Sequence, residues 1–232
     1  MHDLAPSGLM TEAENMAQGP GYRLIDPRPV AAESPYTFFL PSSVERDAIA
    51  LGDQVKLKFE HIPPGTEWGV ERMWVTVTDV AERGIHGVLD NQPYEPTASI
   101  ALGDTIAFAP HHVISIRWDD PAAAPLVSRP RGHWERCMVD QCVLDGVEPV
   151  EYLYRETPDL GGAGDEEPDS GWRLRGRKGD ATDVEIDARE AAYVALGAVL
   201  NRDDSWLALI DAPIGSAFMR DFANGRYERV ER

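Results

Sequence analysis

Tyr152-Leu153-Tyr154-Arg155-Glu156-Thr157-Pro158-Asp159 and Asp169-Ser170-Gly171-Trp172-Arg173 are the two stretches on which the fold reading turns. Each alternates apolar and polar residues, the period-two pattern of a strand with one buried face. Between them lies an acidic, glycine-rich loop. Two strands joined by such a loop, each placing an arginine opposite its aromatic face, predict a β-element that holds charge at a defined place. The candidate binding residues are therefore Arg155, Glu156, Asp159, Asp169, Ser170 and Arg173, because a guanidinium fork matches carboxylate or phosphate geometry. The competing reading is internal: the arginines lock onto Asp159, Asp165, Glu166, Glu167 and Asp169 and pin the hairpin. The lock is preferred, since arginines in such places usually find neighbouring acids. Trp172 is expected in the core, with Gly171 permitting the bend before it and Asp169-Ser170 capping that bend.

Working outward towards the C-terminus, Trp134 to Val143 is read as a strand that turns at Asp145-Gly146. Glu190 to Val199, rich in Ala with apolar spacing near three and four, is read as the one good helix. Leu207 to Asp211 is read as a final buried strand. Residues 133–222 thus make an α+β module, and 223–232 a tail.

Towards the N-terminus the pattern is β-rich. Gln54 to Phe59 alternates strictly, with Val55, Leu57 and Phe59 inward. Arg72 to Val77, Ile85 to Leu89, Thr105 to Phe108 and Val113 to Trp118 continue the series, with a turn at Asp90-Asn91-Gln92-Pro93. Tyr22 to Ile25 is a first short strand, and Tyr36 to Leu40 an aromatic anchor strand or docking segment. Pro41 to Arg46 reads as a cap and a short helix, with Ser42 or Ser43 at the N-cap and Glu45 in the first turn. Leu51-Gly52-Asp53 and Leu102-Gly103-Asp104 echo each other before two strands, which a shared turn type explains better than duplication. The expected organisation is a flexible extension at 1–21, a barrel-like β-rich domain at 22–119 and a Pro/Ala linker at 120–132, followed by the α+β module.

The chain of 232 residues has 43% hydrophobic content, enough for two cores, and a net charge of −18. Residues 129–222 hold 11 basic against 20 acidic residues, and residues 36–118 hold six against 11. With every folded segment acidic and no basic stripe visible, neither nucleic acid nor an anionic membrane is expected as a partner. The start, Met1-His2-Asp3-Leu4, has no basic and apolar signal pattern, so a cytoplasmic location is expected. Cys137 and Cys142 lie five positions apart with no second pair to complete four ligands, and His111, His112 and His133 are recruits on paper only. Free thiols and no metal or other cofactor are expected. Phosphate-cradling glycine loops, nucleophile elbows and His-Glu-x-x-His helices are absent from the sequence, so an enzyme is not the favoured class.

The C-terminal half resembles a bacterial family classed among predicted polymorphic-toxin immunity proteins, immunity protein family thirty-three. Val139, Gly146, Tyr152 to Glu156, Pro158-Asp159, Asp169 to Arg173, Asn201, Asp211 to Phe218 and Arg220 carry the likeness. One departure is that Gly176-Arg177-Lys178-Gly179-Asp180-Ala181 replaces the usual Gly-Asp-Glu word. The N-terminal half looks like a second uncharacterised bacterial domain through Glu71 to Val75, Gly87 to Pro93 and Leu102-Gly103-Asp104. The resemblance implies a binding protein that neutralises a toxin by occluding it. The alternatives are a two-module regulator of a small molecule or peptide, and a hydrolase built from scattered residues around His112 or His133. Oligomeric state is left open.

Overall fold

The computed structural model describes residues 18–231 except 20, 82, 83 and 163. Residues 1–17 of the expected extension lie outside that range. Its end is not an extension: β1 (Gln18–Gly19) pairs with β2 (Tyr22–Leu24). The chain divides into two units, each with its own core.

In the first unit, α1 (Arg28–Glu33) and α2 (Ser43–Asp47) precede β3 (Gln54–His61), β4 (Val70–Ala81), β5 (Gly84–Leu89) and β6 (Thr105–Phe108). A 3-10 turn at Pro110–His112 leads to β7 (Ser115–Arg117). The alternation in β3 buries Val55, Leu57 and Phe59 completely, facing Val75 and Met73 of β4. The strands run antiparallel in the order β1-β2-β3-β4-β5-β6. β2 and β7 share one edge of β3: β2 meets Phe59 to His61, and β7 meets Gln54 to Lys56. A meander of four strands, a 3-10 turn and a strand returning to the first curl the sheet into a nearly closed barrel. Ser42 and Glu45 form the reciprocal cap of α2, the Glu45 amide donating to Ser42 Oγ and the Ser42 amide to Glu45 Oε2. The aromatic stretch Tyr36 to Leu40 is irregular rather than a strand.

The repeated word is longer than Leu-Gly-Asp. Ile49-Ala50-Leu51-Gly52-Asp53 and Ile100-Ala101-Leu102-Gly103-Asp104 are identical, and both isoleucines are buried. Gly52 and Gly103 have φ of 90° and 94°, where a side chain is strained. Asp53 Oδ2 accepts the Ala50 amide at 2.8 Å, and Asp104 Oδ2 accepts the Ala101 amide at 2.8 Å. One turn is therefore used twice, to seat β3 and β6.

Burial, and then the neighbouring His111, push the imidazole of His112 down to about 4. Its Nδ1 accepts the Ala109 amide at 3.1 Å, which requires the neutral ring. The folded-state value lies below the unfolded one, so the first unit keeps its full stability above pH 6.5 and loses it progressively down to about pH 4. We expect a loss on the order of 2–3 kcal/mol over that window. Urea titrations at stepped pH should show it, and His112→Asn should flatten the slope.

The second unit is built on a six-stranded mixed sheet, β11-β8-β10-β9-β12-β13. Its strands are β8 (Arg136–Asp140), β9 (Val150–Arg155), β10 (Asp169–Gly176), β11 (Ala191–Ala195), β12 (Ala217–Asp221) and β13 (Arg226–Arg229). Among the described residues, only β8 and β10 pair in parallel. The helices α3 (Gln141–Leu144), α4 (Asp183–Asp187) and α5 (Leu196–Leu200) have at most five residues.

The expected α+β module is thus mostly β, and four expectations change. Glu190 to Val199 is not a helix: Ala191 to Ala195 pair with β8, and only Leu196 onward is helical. Leu207–Leu209 is a 3-10 turn rather than a strand. The strand read over Trp134 to Val143 ends at Asp140, where α3 takes over. The tail holds β13, which pairs with β12. In addition, Glu33–Phe38 belongs to this unit. There the Tyr36 amide donates to Asn201 Oδ1 at 2.9 Å and its hydroxyl to Asp204 Oδ2 at 2.7 Å.

Candidate functional site

β10 sits in the middle of the second sheet, hydrogen-bonded to β8 and β9. Trp172 and Leu174 face the core, where Trp172 packs against Trp206 with ring centroids 6.1 Å apart. The opposite parity carries Arg173 and Arg175. The register sets Trp172 against Arg155, so the hairpin brings Glu156 and Asp159 beside Arg173 although they lie 14 to 17 positions away.

All six residues singled out in the sequence gather here. Arg173 Nε donates to Glu156 Oε1 at 2.7 Å, and Nη2 to Asp159 Oδ1 at 2.8 Å and Asp169 Oδ2 at 2.9 Å. Its Nη1 donates to Asp169 Oδ1 at 3.0 Å and to the Trp172 carbonyl at 3.1 Å. These five bonds match the five N–H donors of a guanidinium, leaving none for an outside anion. Arg155 Nε donates to the Ser170 carbonyl and Nη1 to the Ala212 carbonyl, while Ser170 Oγ donates to the Arg136 carbonyl. The arrangement is the internal lock, and it joins β10, β9, β8 and the 211–216 loop.

The side chains of Arg173 and Asp169 are only 7% and 1% exposed. Burial works against ionising Asp169, but Arg173 and the amides of Gly171, Leu160 and Asp159 outweigh it and hold the carboxyl at about 2. The Asp169 hydrogen bond, opposed by burial, raises Arg173 above the ordinary arginine range. The lock therefore stays fully charged at neutral pH. What it presents is the loop between β9 and β10. Asp165, Glu166 and Glu167 are exposed and line a shallow cleft of about 460 Å³ with Pro158, Leu160 and Asp169.

A second buried acid was missed in the sequence. Asp140 meets Arg175 Nε at 3.0 Å, Arg189 Nη1 at 3.5 Å and the Gly176 amide at 3.0 Å. In the segment that departs from the usual Gly-Asp-Glu word, Lys178 pairs with Asp183. Burial raises both cysteine thiols, and both are free. Among the described residues, no three His, Cys, Asp or Glu gather as a metal site, and no helix is long and apolar enough to cross a membrane.

The first unit hides two further carboxylates that sequence reading overlooked. Glu71 lies inside with His61, whose Nε2 is 2.6 Å from Glu71 Oε2, and Glu71 Oε1 accepts the Tyr94 amide at 2.6 Å. Glu95 accepts the amides of Thr66, Glu67, Trp68 and Thr97 and the hydroxyls of Thr66 and Thr97. Burial opposes its ionisation, yet the Thr97 hydroxyl and these amides hold it far below the usual carboxylate range. Asn91 Oδ1 accepts the Trp74 amide at 2.5 Å, so the two words Glu71 to Val75 and Gly87 to Pro93 are one bonded assembly.

Fold and site together define a two-unit, mostly β protein whose buried charges are spent on holding loops in place. Residues 137–231 match the family model described as the Immunity protein Imm33 domain. Residues 32–118 match that of DUF2314, an uncharacterized protein conserved in bacteria. No curated protein and no solved structure matches the chain.

Proposed function

We propose that this is a cytoplasmic binding protein of immunity type, which neutralises a protein toxin by covering a basic surface on it. The match of residues 137–231 to the Immunity protein Imm33 domain carries the reading. The acidic loop between β9 and β10 supports it as the contact. Asp159 and Asp169 at its ends are tied to Arg173, which fixes where the acidic loop leaves the sheet. Its negative charge would speed the encounter with a basic face.

The test is co-expression with protein toxins encoded beside the gene, followed by titration calorimetry on the purified pair. Growth should be restored and a stable complex formed. Glu166→Lys with Glu167→Lys should weaken the complex about tenfold or more, mainly by slowing association at low salt. Failure to bind or protect against any such toxin would remove the reading.

A further inference from the structure

β11 ends one side of the second sheet, and among the described residues no strand lies beyond it. The Gln141 amide donates to the Glu190 carbonyl at 2.8 Å, and the Leu196 amide to the Glu135 carbonyl at 2.9 Å. Antiparallel pairing alternates, so Ala192 and Val194 turn their backbone groups to β8, while Ala191, Tyr193 and Ala195 turn theirs outward. Nothing among the described residues accepts from those three amides, and the Tyr193 carbonyl takes only Arg136 Nη2, at 3.3 Å. This edge is also undefended. Edge strands are ordinarily blunted by charges or proline, which stop them recruiting a further strand. At the opposite end of the sheet β13 has Arg226, Glu228 and Arg229, whereas Ala191 to Ala195 include no charge and no proline.

The two faces beside the edge differ in chemistry. Ala192 and Val194 pair with the buried Val139 and Cys137 and lie on the core side, where a cleft of about 320 Å³ opens beside Val194, Leu144 and Ala198. Tyr193 lies on the face of Arg173, since both pair with Met138. There the acidic loop abuts its ring. A Cβ on Gly161 would lie 3.4 Å from the Tyr193 hydroxyl and 2.7 Å from Asp165 Oδ2. Asp165, Glu166 and Glu167 are exposed on that side, and the cation over the ring, Arg136, is engaged by the Tyr193 carbonyl.

We infer that β11 receives an extended basic segment of the toxin as a further strand of the sheet. That the segment belongs to a toxin rests on the function proposed above; the edge and its two faces set the chemistry. Outward amides and carbonyls at alternate residues select a polypeptide, because a nucleic acid offers no matching ladder. The acidic loop selects cations at the alternate positions beside Tyr193 and repels a polyanion. The residues between them fall on the Val194 side, where the cleft takes a small apolar side chain. A second copy of this chain fits worse. Pairing β11 with itself about Tyr193 brings two acidic loops together, and like charges so placed oppose association.

The experiment uses the full chain and three fluorescent peptides of equal length. One alternates Lys and Val, one alternates Glu and Val, and the third is the Lys peptide methylated on its backbone amides, which keeps the charge and removes the donors. The Lys peptide should bind saturably, and the other two at least about tenfold more weakly. Ala195→Pro removes an outward amide where φ is already −64°, so the melting temperature should hold while affinity for the Lys peptide falls about tenfold. The same variant should lose protection against a toxin that the unaltered protein neutralises. If the Lys peptide fails to bind saturably, if its methylated form binds equally, or if Ala195→Pro still protects, the inference falls while the immunity reading stands. Peptide binding with no protection against any neighbouring toxin upholds the strand site and overturns the immunity reading. Self-association that Ala195→Pro abolishes would give the edge to a second copy and overturn the inference as well.

Discussion

Replacing Arg173 by Met should destabilise the second unit by about 3–5 kcal/mol, because Asp169 would remain inside as an unpaired charge. Domains of this size have only about 5–15 kcal/mol to lose. Trp172 and Trp206 lie in that core, so tryptophan fluorescence during urea unfolding reads the change directly. Asp169→Asn with Arg173→Met should recover part of the loss, since the bidentate partner no longer demands a cation. Acid should act on the same lock. The folded-state value of Asp169, about 2, lies below the 3.8 of an ordinary aspartate. Its contribution, about 2 kcal/mol, is therefore fully present above pH 3.8 and disappears as the pH falls towards 2. A loss below about 1 kcal/mol in Arg173→Met would show that the five bonds only orient the hairpin.

Gly171→Ala should be equally damaging, by about 3 kcal/mol or more, although it adds one methyl group. Gly171 has φ +79°, and a Cβ there would lie 2.1 Å from the Glu156 carbonyl oxygen. That oxygen is backbone, and β10 is bonded on both sides, so neither partner has room to yield. Gly179→Ala is the control. Its φ is +56° with nothing within 4 Å of the added atom, and the expected cost is about 1 kcal/mol. Parallel denaturation of the two variants separates the backbone collision from the conformational preference they share.

Parity made much of the first barrel legible. Val55, Leu57 and Phe59 declared their face, and the same parity, carried on, reaches His61; in β4 it places Glu71 with Met73 and Val75. A charged residue on an inward position was thus visible as an anomaly, but its partner across the strand pair was not. Segment totals hid it as well, since the acids of residues 36–118 include Asp53, Glu71 and Glu95, which are buried.

In the second unit, Asp169 and Arg173 stand four apart on one strand, about 13 Å if it were regular, and the irregularity at Gly171 is what brings them together. Asp140, Arg175 and Arg189 are scattered, and only the folded sheet unites them. Ala191 to Ala195 misled because alanine favours a helix locally, whereas five paired positions on β8 decide otherwise. The helix begins at Leu196, and in its first turn the Gly197 amide donates to the His133 carbonyl.

Glu33–Phe38 has a consequence for how the chain is made. These residues leave the ribosome before any of the first unit's longer strands, yet Asn201, which binds Tyr36 and Thr37, follows more than 160 positions later. At about 5–20 residues per second, Tyr36 waits roughly ten to thirty seconds for its seat. The first barrel has time to close around both sides of that six-residue interruption, so birth order and spatial order diverge along this polypeptide.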